Sequence, residues 1–398
     1  MAQSLLVVSH DFGELANARQ WIEGRELECQ VMLPTRLGEL NAGEFAQAAS
    51  YATADDLLGA LDEHAPEWLL LFTGYLLASQ PSVGVAGLRR LLNEAARRGV
   101  RIATTDPFLG LIPARVEGLF SNRLAQATRL PAHFRELGHL LEPHDHLYLA
   151  PPEGLATRRA EAFFHPAYHG MSGVRSAEDA SAEGGGACAE EPYWLFALSS
   201  EDGQQQLARW GEAAFCSALH DRIREAHRCQ RRTVFVGPPA LVHRVQSLLE
   251  ATNGGTPCPA HEGRDFCCLE TFRQLQSHAE HAFYWNPLSN SIVSRLARGQ
   301  SIFFLDQGHM ARSMPTLYDV AVQHYFRGAA IPILQLADSL SLDALAELDR
   351  EQQRRLAPAR DAVLDLPTPA VAFHRMQRKA SPHDGPPHER NATVHPGE

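Results

Sequence analysis

Eight apolar runs of four to six residues are separated by segments whose apolar residues recur at helical spacing, and no other feature constrains this chain as tightly. In the first half, strands read at Leu5–Ser9, Cys29–Leu33, Trp68–Phe72 and Val100–Thr104. Between them, Gly13–Glu23 sets Leu15, Ala18 and Ile22 on one helical face, and Asp55–Leu61 follows Thr53 as an N-cap. Gly87–Arg98 repeats Leu88, Leu91, Leu92 and Ala95 until Gly99 ends it. The second half repeats the scheme with strands at Tyr193–Leu198, Thr233–Val236, Ala282–Trp285 and Ile302–Leu305, and helices at Phe215–Ala226, Leu241–Leu249 and Ser291–Arg298. Short, continuously apolar strands alternating with amphipathic helices call for parallel sheets covered on both faces. The expectation is an α/β protein of two Rossmann-like parallel-sheet domains with an interdomain cleft.

The stretch 170–192 is rich in Gly, Ala, Ser and Glu and nearly free of large apolar residues, so it reads as a flexible linker or exposed loop. It divides an N-terminal domain at 1–169 from a C-terminal domain at 193–340. Leu342–Leu356 is a charged amphipathic helix within a C-terminal helical region at 341–375. From 376 to 398, Pro, His and Gly dominate, and disorder is expected.

Composition excludes several classes. A formal net charge of -11 argues against a nucleic-acid partner. The most apolar run, Trp68–Phe72, is too short to span a bilayer, so no integral membrane segment is expected. The first residues lack a basic n-region and read as a strand rather than a signal peptide, and the seven cysteines read as free thiols, Cys29 and Cys216 in the core, together implying a cytoplasmic protein. The only lysine is Lys379, which removes Schiff-base chemistry, and no P-loop, Gly-x-Ser-x-Gly elbow or Gly-x-Gly-x-x-Gly after the first strand is present. No cofactor is expected. Cys258, His261, Cys267, Cys268, His278 and His281 lie in one segment but fit no standard zinc spacing, and no metal is assigned.

In two-domain α/β proteins ligands gather at the carboxyl ends of the strands. Polar residues accumulate there: Ser9, His10 and Asp11 after the first strand, Thr73 after the third, Thr105 and Asp106 after the fourth. In the second half, Ser199 and Ser200, then Gly237, follow two strands. Asn286, Ser289, Asn290 and Ser291 follow a third, and Asp306, Gln307, Gly308 and His309 a fourth. The Asn/Ser cluster precedes a helix, where it either caps or joins the helix terminus in holding phosphate. Asp306 and Gln307 carry groups able to hydrogen-bond adjacent hydroxyls. Gly237 and Arg295 are further phosphate candidates, although Arg295 also suits a solvated helix face.

The stretch 284–309 resembles the donor-binding segment of GT-B glycosyltransferases of the nucleotide-sugar-dependent, UGT-like kind. Asn290-Ser291 stands where that family has Asn-Ser, Gly299 follows at the matching distance, and Asp306-Gln307 matches its closing pair. Asn286 replaces the family's His, Leu288 its Gly and Ser301 its Pro. The resemblance implies a GT-B fold. It also implies a nucleotide-sugar held by Asn286, Ser289, Asn290, Ser291, Asp306 and Gln307, and a small-molecule or glycan acceptor bound in the first domain. There His10, with Asp106 as partner or independent base, would take the acceptor's proton. The implied activity is a metal-independent glycosyltransferase. The alternatives are a nucleotide-sugar epimerase or hydrolase on the same fold, and a non-catalytic GT-B-like binding protein.

Overall fold

The computed structural model describes residues 3–9, 12–23, 29–42, 45, 48–105, 136–137, 140–141, 143–148, 160–162, 191–289, 291–313, 315–336, 341–367 and 369–379. Two parallel sheets organise them. The first has seven strands: β1 (Ser4–Val8), β2 (Cys29–Pro34), β3 (Ala48–Tyr51), β4 (Trp68–Phe72), β5 (Arg101–Thr104), β6 (Asp145–Tyr148) and β7 (Ala160–Ala162), in the order β3-β2-β1-β4-β5-β6-β7. The second has five: β8 (Tyr193–Ala197), β9 (Arg232–Val236), β10 (His261–Arg264), β11 (His281–Tyr284) and β12 (Ile302–Phe304), in the order β10-β9-β8-β11-β12.

The central strands are the ones the apolar runs predict. Every residue of β1 and β4 is buried, because helices cover both faces of the sheet. Leu5 and Val7 face one core with Leu57, Leu88 and Leu91, while Leu6 and Val8 face the other with Leu15, Trp21 and Trp68. Helix Ala54–His64 starts at the expected Thr53, which forms a reciprocal capping box with Asp56. The edge strand β12 is the predicted run at Ile302–Leu305, whereas the edge strands β3 and β10 were not predicted. β10 reads HEGR with every residue half-buried, and β3 reads AASY with one buried residue, so neither carries the apolar run that marks an interior strand.

The second-domain core continues into the first. Leu269 N–H donates to Asn41 Oδ1 at 2.9 Å across the two halves, and the Arg36 guanidinium lies 5.7 Å from the centre of the Phe266 ring. Helix Leu342–Leu364 runs further than the expected 342–356 and packs on helix Ile292–Ala297 of the second domain. Helix Pro369–Lys379 packs on the first domain, where its Phe373 meets Trp21 and Trp68 edge-on at 5.4 and 5.0 Å. Met376 is buried there, so the expected disorder from 376 gives way to helix as far as Lys379, and residues beyond it lie outside the described set.

Candidate functional site

The second sheet winds outward in both directions from the boundary between β8 and β11. That reversal of strand order opens a crevice beyond the carboxyl ends, where doubly wound sheets hold ligands. Four segments border it: the start of helix Ser200–Trp210 after β8, the turn at 285–289 after β11, the turn at 305–308 after β12, and helix His309–Ser313.

The two polar segments flagged in the sequence meet here. Gly308 has φ +82 and lies against Asn286, so that an added Cβ would sit 2.7 Å from Asn286 Cγ and Oδ1. Only glycine permits both that backbone conformation and that approach. Asn286 Oδ1 accepts from Leu288 N at 2.9 Å, which folds the turn back on itself. Ser289 and Ser291 are half-buried, with hydroxyl oxygens 2.7 Å apart, and Ser291 makes no side-chain capping bond to the helix it precedes. Gln307 is exposed at the mouth.

Asp306 is the centre of the constellation. It is 5% exposed, and its carboxylate accepts from Gln206 Nε2, from Arg312 Nη1 at 2.7 Å and from Gln307 N at 2.8 Å, with Arg209 Nη1 at 3.5 Å. The carboxylate is thus committed to two arginines and a buried amide, and gripping sugar hydroxyls would require it to exchange partners. A second carboxylate stands alongside. Asp202 accepts from Ser199 Oγ at 2.8 Å and from the His309 backbone N–H at 3.2 Å, with His309 Nδ1 at 3.3 Å from the same oxygen. Burial alone would lower the His309 pKa. The Asp202 hydrogen bond and the charges of Glu201 and Asp202 outweigh burial, and the imidazole is pushed above its ordinary value despite Arg312 nearby. Arg209, Arg312 and His309 thus line the crevice, each paired with a carboxylate: the two arginines with Asp306, the imidazole with Asp202 and Glu201.

Asp202, Gln206, Arg209 and Arg312 were not singled out from the sequence. Their signal was there: Ser199 three residues before Asp202 marks a helix start, and 202, 206 and 209 are spaced four and three, one face of that helix.

Two expected phosphate residues lie elsewhere in the packing. Arg295 is 0% exposed, and its guanidinium donates to the carbonyls of Ser301, Gln276 and Ala279. It ties the ends of β11 and β12 together from inside rather than facing a ligand or solvent. Gly237 donates its N–H to Arg264 O at 3.2 Å, and a Cβ there would meet the Phe235 ring at 2.9 Å, so the glycine serves packing. His278 ends a helix and His281 opens β11. His10, Asp106 and Asn290 lie outside the described residues.

A cavity of about 690 Å³ opens beside the edge strand of the same sheet, lined among others by His243, Gln246, Gly263, Arg264 and Asp265. Neighbouring strands lie about 4.8 Å apart, which puts β10 about 14 Å from β11.

No family model matches the chain, and no curated protein matches it. Solved structures do. CalG4, the calicheamicin glycosyltransferase, superposes with a TM-score of 0.54 at 10% identity, over 97% of this chain and 100% of that one. The spinosyn rhamnosyltransferase SpnG superposes with a TM-score of 0.50 at 14% identity over 94% of this chain and 100% of that one. SpnG complexed with thymidine diphosphate gives 0.51 at 13% identity, over 95% and 100%. At such identities the likeness shows the fold: two parallel-sheet domains in the GT-B arrangement. Among the described residues, no helix is long and apolar enough to cross a membrane.

Proposed function

We propose that this protein is a metal-independent glycosyltransferase that takes a nucleotide-sugar in its second domain. The observation that carries this reading is the convergence at one switch-point crevice of Asn286 and Gly308 with Arg209, His309 and Arg312. The diphosphate of a nucleotide-sugar carries two negative charges and gains a third as it leaves, and guanidinium groups held in place by Asp306 stabilise the charge it develops. Asp306 acts through Arg209 and Arg312, holding their guanidinium groups in place. Asn286, Ser289, Asn290, Ser291 and Gln307 supply hydrogen bonds to phosphate and sugar oxygens. The 690 Å³ cavity at β10 lies within the reach of an extended nucleotide-sugar and is assigned to its nucleoside end. In the reaction, an acceptor hydroxyl oxygen attacks the anomeric carbon, the bond from that carbon to the diphosphate oxygen breaks, and the nucleoside diphosphate leaves with the electron pair. His10 and Asp106 remain the sequence-assigned candidates for receiving the acceptor's proton.

Titration calorimetry with UDP-, GDP- and dTDP-glucose tests the reading. One of them should bind saturably, and Arg312→Ala should weaken it about tenfold or more, equivalent to about 1.4 kcal/mol. The absence of saturable binding by all three would overturn the proposal. One observation favours a second reading, a binding protein without turnover: the Asp306 carboxylate is already committed to Gln206, Arg209 and Arg312. Donor binding with no sugar released or transferred would decide for it.

A further inference from the structure

Helix Pro239–Thr252 and the edge strand β10 wall the cavity of about 690 Å³ between them. Val242 and Gln246, one helical turn apart, face the strand. The space opposite them exists because residue 263 has no side chain: a Cβ on Gly263 would stand 2.8 Å from Val242 Cγ1. A glycine inside a strand marks such a close approach. Two polar atoms surround that point, Gln246 Oε1 at 3.6 Å and His261 Nε2 at 3.8 Å from the Cβ position.

These groups have hydrogen-bonding capacity that the fold does not use. His261 Nδ1 lies 2.9 Å from Thr233 Oγ1, but its Nε2 is buried with no partner. Burial, and then the neighbouring His227, push its pKa down to about 4, so the ring is neutral at pH 7. Gln246 gives its Nε2–H to Glu250 Oε1 at 3.1 Å, which leaves its carbonyl oxygen toward the strand. Asp265 follows the last residue of β10 at the carboxyl edge and lines the cavity. Glu262 is paired with Arg264, whereas Asp265 has no hydrogen-bond or ion-pair partner among the described residues. A free carboxylate and an amide carbonyl make the cavity rich in acceptors.

We propose that this cavity selects guanine, with Asp265 as the specificity-determining residue that accepts from guanine N1–H and its 2-amino group together. The inference rests on the reading of the cavity as the nucleoside end of the donor site, and it makes the donor a GDP-linked sugar. A carboxylate accepts at both oxygens and donates nothing. Guanine alone among the common bases sets two donors side by side on its Watson–Crick edge. Uracil and thymine hold N3–H between two carbonyl oxygens, so a carboxylate that accepts from N3–H turns its second oxygen against a lone pair. Adenine and cytosine set their amino group beside a bare ring nitrogen and meet the same conflict. The site therefore rejects the other bases by repulsion as well as favouring guanine by attraction. Gln246 Oε1 offers a further acceptor for the amino group.

Titration calorimetry of the full chain with GDP, IDP, UDP and dTDP reads the selection, IDP differing from GDP only in lacking the 2-amino group. GDP should bind about tenfold or more tightly than each of the others. Asp265 is exposed, so Asp265→Asn should fold and melt as wild type does. That variant should weaken GDP about tenfold, close most of the gap between GDP and IDP, and leave the UDP Kd within about twofold. UDP or dTDP binding as tightly as GDP, IDP matching GDP, or a GDP Kd unmoved by Asp265→Asn would overturn the selection of guanine and leave the donor site standing. The absence of saturable binding by all four overturns the proposed function, and this selection with it.

Discussion

Replacing Arg295 with methionine removes a cation from one of the least accessible points of the second domain. Its Nε donates to Ser301 O at 2.8 Å, and its Nη1 to Ala279 O at 3.1 Å and to Gln276 O. The contacts of Nη2 with Glu280 O at 3.4 Å and Ser301 Oγ at 3.5 Å are too long to add much. Burial lowers the arginine pKa from its ordinary value, a sign that the charge is held there at a cost. Methionine keeps an unbranched apolar stem, so packing is largely preserved. Three charge-assisted bonds at about 1.5–3 kcal/mol each, set against several kcal/mol of desolvation no longer incurred, leave a net loss of about 2–4 kcal/mol. For a domain of this size that lowers the melting temperature by about 4–16 °C. Thermal unfolding followed by tryptophan fluorescence reads the loss, and a donor titration well below the transition should give a Kd within about twofold of wild type. A variant that melts within about 1 °C of wild type but no longer binds donor would refute the reasoning and return Arg295 to the ligand.

Gly308→Ala should cost at least about 1–3 kcal/mol, since alanine is strained at φ +82 and its Cβ would lie 2.7 Å from Asn286; chemical denaturation measures this, and weaker donor binding should accompany it. The pKa of His309 is raised on folding, so its contribution to stability is fully present below about pH 6.5 and is lost as pH rises through the folded value. Melting temperatures from pH 5 to 9 should therefore fall more steeply for wild type than for His309→Asn across that interval, and parallel curves would contradict the assignment.

The sheet class was legible because interior parallel strands must be apolar on both faces, as the runs SLLVV and WLLLF are. The polar turns at Asn286–Ser291 and Asp306–His309 were legible for the converse reason: polar side chains clustered at strand ends need partners or a ligand. Edge strands such as HEGR were not, because half-exposed residues carry no periodic signal. Nor could sequence tell which way a side chain turns. Arg295 reads like a helix-surface cation, yet a helix of six residues buried on all sides leaves it only carbonyls to meet. Asp306 is joined to Gln206 from a hundred residues away, and Glu14 meets Thr105 across ninety-one. Local pattern determined where strands and polar turns fall along the chain. Which of those polar groups face one another was decided by strand order, because contacts so distant in sequence exist only once both sheets have closed.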